Sequence, residues 1–139
     1  MKHIIILLSI ITYAFSITGL ELAQLIESRE KPNDIQSINT MVLTNKDNKV
    51  KTLELISISK DDSKMQMIWF LKPKKDKGIA FLKLESDDKD DFMTMFLPGF
   101  SRFKRIKSSQ KSDSFMGSDL SFEDMLCRDL SDYDYNIIS

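Results

Sequence analysis

A chain of 139 residues, 42% hydrophobic and 29% charged, is long enough for one domain with its own core. Its 20 Lys and Arg against 21 Asp and Glu leave a formal charge of −1, which offers nucleic acid no basic face. The single cysteine, Cys127, excludes an intramolecular disulfide, and the single histidine, His3, leaves the rest of the chain without the commonest general acid–base group.

In chain order, Lys2 and His3 open a short basic segment, residues 4–15 are apolar, and Ala14-Phe15-Ser16 offers small residues for cleavage. This pattern predicts a secretory signal peptide over residues 1–16, too short for a comfortable membrane span, with an uncleaved anchor as the alternative. The domain is then 17–139, exported and soluble, with no cysteine near the cleavage point to carry a lipid. Loss of Lys2 makes its charge one unit more negative.

Thr18 and Glu21 have the spacing of a capping box. Leu22, Leu25 and Ile26 follow as one apolar stripe, predicting a helix that packs on a sheet and ends at Lys31-Pro32. Strand signals then recur at near-regular spacing over residues 35–43, 50–59, 65–71, 78–84, 92–97 and 103–107, separated by polar or proline-marked turns. They predict an antiparallel sheet or barrel.

The central strands are apolar on both faces. Met67, Trp69 and Leu71 alternate with Ile68 and Phe70; Ile79 and Phe81 oppose Ala80 and Leu82; Met93, Met95 and Leu97 oppose Phe92 and Phe96. A sheet with one solvated face alternates apolar with polar, so both faces are expected to be covered. A curved sheet around an apolar interior accounts for this, and so does a two-layer core with an oligomer interface. Met65, Met67, Met93 and Met95 suit a lining that accepts variable apolar shapes, although methionine also fills ordinary gaps.

The basic positions Arg102, Lys104, Arg105 and Lys107 fit a solvated strand that discourages edge pairing, or a face for anionic headgroups or an acidic partner. Residues 87–91 are acidic but lack the spacing of a calcium loop, and read as a charged hairpin loop. Cys127 lies beside Arg128, which would favour the thiolate, but a buried structural thiol is the simpler reading.

The densest motif lies between residues 91 and 130. It comprises Phe96-Leu97-Pro98, Arg102, Arg105 and Ile106, then Ser114-Phe115, Gly117-Ser118-Asp119 and Ser121-Phe122-Glu123-Asp124. In this arrangement the chain resembles the outer-membrane lipoprotein-sorting family of the LolA-like superfamily. The resemblance implies an α+β fold, mainly antiparallel β: an incomplete, half LolA-like β-barrel with an N-terminal helix. It implies a periplasmic carrier that holds lipoprotein acyl chains or lipid in an apolar cavity, and not an enzyme. A periplasmic sensor that binds a partner protein in envelope stress signalling is the alternative.

Met67, Trp69, Phe81, Met93 and Met95 are the cavity candidates. No catalytic residue, metal or cofactor is implied. The implied partners are acylated lipoprotein or lipid, with an inner-membrane releasing complex or an outer-membrane acceptor as docking partners. Complete members run on well past the end of this chain, and residues 132–135 read as entering a further strand. The expectation is therefore a C-terminally truncated member, a fragment or frameshifted gene rather than a half that pairs with another chain or a self-sufficient short variant.

Overall fold

The computed structural model describes residues 17–138, so the expected signal peptide lies outside the described residues. Two units are distinguished: the described residues up to Arg29 together with those from Asp129 onward, and Glu30–Arg128.

In the first unit, helix α1 (Gly19–Glu27) starts at the expected capping box. The Glu21 amide donates to the Thr18 hydroxyl oxygen at 3.2 Å, and the Thr18 amide donates to the Glu21 carboxylate at 2.7 Å. The helix ends earlier than Pro32 would require. Ser28 caps it, donating its amide to the Gln24 carbonyl and its hydroxyl to the Leu25 carbonyl. The apolar stripe is not sealed: α1 buries none of its residues, and Leu25 and Ile26 are more than half exposed. Gly19 lies so close to the Tyr135 backbone that a Cβ there would collide with it. The strand expected over residues 132–135 is not formed. Asp129 caps a 3₁₀ turn (Leu130–Asp132) instead, its carboxylate accepting from the Ser131 amide at 2.8 Å.

The second unit is one sheet of six antiparallel strands in sequence order: β1 (Asp34–Thr44), β2 (Val50–Lys60), β3 (Met65–Lys72), β4 (Ala80–Leu84), β5 (Phe92–Leu97) and β6 (Arg102–Ile106). The sheet is open, with β1 and β6 as its edges. The expected fold class, mainly antiparallel with one N-terminal helix and an incomplete barrel, is what the chain adopts.

Local chemistry sets the turns. The Asn45 side-chain oxygen accepts from the amides of Asp47 (3.0 Å) and Lys49 (2.8 Å), an Asx turn that reverses the chain into β2. Strand β4 starts at Ala80 rather than at Gly78, because Gly78 has φ +86° and belongs to the turn. Ser101, also left-handed at φ 47°, closes the turn into β6, which therefore begins one residue before the expected position. A bulge in the β2–β3 ladder at Glu54/Leu55 leaves Leu71 without a partner.

The register fixes the two faces. Phe81 pairs with Ile68 on one side and Met95 on the other, so these three share a face with Phe70, Leu55, Met93 and Ile106. Across this face runs the segment 107–128, which contributes Phe115 and Phe122 to the core. Phe115 lies 5.3 Å from Phe81 and 6.1 Å from Phe70, and Phe122 lies 5.8 Å from Phe81, in tilted or edge-on contacts of the kind aromatic rings prefer.

Candidate functional site

The opposite face carries Ile38 and Val42 of β1, Ile56 and Ile58 of β2, Met65, Met67 and Trp69 of β3, Leu82 and Leu84 of β4, Phe92 and Phe96 of β5, and Phe103 of β6. Period-2 alternation puts them there, and burial separates them from the core. Ile38, Val42, Ile58, Trp69, Leu84, Phe92 and Phe103 are all exposed. A shallow cleft of about 230 Å³ lies among Ile58, Met65, Met67, Leu82 and Leu84, and its walls are almost wholly hydrocarbon. Exposed apolar residues gathered on one face in this way are uncommon on soluble monomers, whose larger apolar patches are often interaction sites.

The five cavity candidates do not form one lining. Phe81 and Met93 are 0% exposed and Met95 is 7% exposed, all beneath the 107–128 segment. Met67 and Trp69 lie on the open face, where Trp69 is 41% exposed. The expectation that both faces are covered is thus corrected to one sealed face and one open one. Ile58, Leu82 and Leu84 join Met67 and Trp69 there, and strand alternation alone was the signal for them.

The motif residues build the segment that seals the core face. Met116 (φ 56°) and Gly117 (φ 80°) are consecutive left-handed residues, and the Ser118 amide donates to the Phe115 carbonyl at 3.0 Å, which makes a type I′ turn. Glycine suits its second central position because it has no Cβ to strain there. Ser114 bridges to Ser121 across the loop, and the Ser118 hydroxyl donates to the Phe115 carbonyl at 2.7 Å. Asp119 and Glu123 are exposed, the latter donating its amide to the Lys111 carbonyl at 2.8 Å. Pro98 opens the turn between β5 and β6. Arg102 and Arg105 lie exposed on β6, and Arg105 covers the Phe92 ring with its guanidinium carbon 4.0 Å from the centroid.

Asp124 accepts from both the amide and the hydroxyl of Ser121 at 2.8 Å, and from Arg128 at 2.8 Å. The Ser121 amide bond, then its hydroxyl, hold the carboxyl below its ordinary value, with Arg128 adding to them. A depressed carboxyl stabilises the fold at and above the usual Asp range and loses that contribution as pH falls through the lowered value. In an NMR titration Asp124 is expected to show a midpoint below about 3.9, the unperturbed value, and Ser121→Ala to move it upward. An unchanged midpoint in that variant would remove the Ser121 hydroxyl as a cause and leave the amide, which alanine retains.

Cys127 is exposed, contrary to the expected buried thiol. Desolvation nonetheless pushes its pKa up, chiefly offset by Lys83, and the thiol donates to the Asp62 carbonyl at 3.5 Å. Among the described residues no group of three or more His, Cys, Asp or Glu is placed to hold a metal ion. Nor is any described helix long and apolar enough to cross a membrane.

A family model described as an uncharacterized-protein family matches residues 61–139. Two solved structures are similar over most of this chain. One is described as an outer membrane lipoprotein-sorting protein domain from Vibrio parahaemolyticus, 29% identical, with a TM-score of 0.71 over 81% of this chain and 49% of that one. The other is a DUF1329 family protein from Desulfovibrio piger, 33% identical, with a TM-score of 0.72 over 85% of this chain and 52% of that one. The chain therefore spans about half the length of the solved structures it matches. No curated protein matches it.

Proposed function

We propose that this chain, which shares a LolA-like fold with an outer membrane lipoprotein-sorting protein domain, is a periplasmic carrier whose open sheet face binds the acyl chains of lipoproteins or lipid. The observation that carries this reading is the apolar face itself, from Ile38 to Phe103, left open while the reverse face is packed solid. Each methylene moved from water onto such a surface contributes about 0.8 kcal/mol, so an acyl chain needs no specific polar contact to bind. No reacting group is required, and cargo of varied headgroup is accepted.

Trp69 is the only tryptophan, so its emission reports on that face. Titrating delipidated protein with a fatty acid or lipopeptide is expected to shift Trp69 emission to the blue, saturably. Ile58→Asp puts a carboxylate in the cleft floor, where covering it with hydrocarbon costs several kcal/mol, and weakens uptake roughly tenfold or more. It leaves the opposite core untouched, so the unfolding midpoint should barely move. Absence of saturable uptake would end the carrier reading. If it came with tight binding to a membrane-protein ectodomain, it would favour a sensor instead.

A further inference from the structure

We propose that the β5–β6 corner of the sheet, with edge strand β6, docks on the surface of an anionic lipid bilayer. Although the whole chain is nearly neutral, residues 92–112 hold five cations (Arg102, Lys104, Arg105, Lys107 and Lys111) and no carboxylate. Lys111 is committed to Asp91 at 2.7 Å, and Arg105 donates to the Asp91 carbonyl at 3.2 Å. Among the described residues no carboxylate pairs with Arg102, Lys104 or Lys107. Beside these cations stand two protruding rings, Phe100 at 72% and Phe103 at 73% exposed. The Arg102 guanidinium carbon lies 5.2 Å from the Phe100 centroid.

Cations with interleaved exposed aromatics match a bilayer interface, where rings enter the headgroup layer and each nearby Lys or Arg is attracted by anionic lipid. An acidic protein surface would satisfy the charges but give no apolar medium to the two exposed rings. Position adds a second argument. Phe103 packs on Phe96 at 5.1 Å and so continues the open apolar face to the sheet edge. A bilayer met at β6 adjoins that face directly. This goes beyond the carrier reading, because surface docking does not require an acyl chain to be bound.

The test is co-flotation of the full chain with vesicles of phosphatidylcholine alone and of phosphatidylcholine with phosphatidylglycerol. Binding to the second kind only, lost at about 1 M salt where the Debye length falls to about 3 Å, is expected. Arg102→Gln with Lys104→Gln should weaken the partition coefficient about fivefold per charge removed. Phe100→Ser, at a position away from the cleft, should weaken it further with an unchanged circular dichroism spectrum. Equal binding to both vesicles, no binding to either, or capture by an acidic protein in place of vesicles would overturn the proposal. Acyl uptake without flotation sinks the docking and spares the carrier; flotation without uptake does the reverse.

Discussion

Phe81→Ala is expected to lower the unfolding free energy by about 3–5 kcal/mol in a denaturant titration, whereas Phe103→Ala should cost only about 1 kcal/mol. The two substitutions remove the same atoms from the same sheet. Phe81 is fully buried in the core face and meets Phe115 and Phe122 at 5.3 and 5.8 Å, so its loss leaves a void that rigid neighbours cannot fill. Among the described residues Phe103 meets the ring of Phe96 alone, and it is 73% exposed. The contrast measures the asymmetry on which the carrier reading depends. Equal losses would mean that both faces are sealed in solution and that no open apolar surface exists.

That asymmetry was only half legible in the sequence. Alternation set Phe81 against Ala80 and Leu82 within β4, and Met93 and Met95 against Phe92 and Phe96 within β5. Only the ladder register puts Phe81, Met93 and Met95 on one face and Met67 and Trp69 on the other. What alternation could not say is which face is covered, because both are hydrocarbon. The choice is made by Phe115 and Phe122, which arrive from beyond the last strand and lie on one side of the sheet only. The capping box at Thr18 and Glu21 was readable because both its bonds form within one turn of helix. The stripe behind it was readable as a pattern but not as a buried surface. A helix's apolar face says that it needs cover, not that it has it.

Lys83 is the residue that pattern reading passed over. It follows Phe81 by two positions and so points into the core face, where it is 1% exposed. A charge there needs partners, and it has two: its ammonium donates to the Met125 carbonyl at 2.6 Å and pairs with Glu85. Glu85, two positions further on and itself 14% exposed, also accepts from the Cys127 amide at 2.9 Å. The spacing Phe81-x-Lys83-x-Glu85 was visible, but its meaning depends on a segment some forty residues away that closes over it.

Lys83→Ala is therefore expected to cost about 3–5 kcal/mol, because it leaves Glu85 charged and largely buried with one amide for company. Lys83→Met with Glu85→Gln removes both charges and keeps an acceptor for the Cys127 amide. It should return to within about 1–2 kcal/mol of the parent, the remainder being the donor lost at Met125. Hydrogen exchange at the Cys127 amide should quicken in the single variant and slow again in the double. The pair thus separates two roles for the buried lysine. If the double variant is as unstable as the single one, the ion pair itself fastens the 107–128 segment; if it recovers, the pair is needed only because each charge would otherwise be left alone.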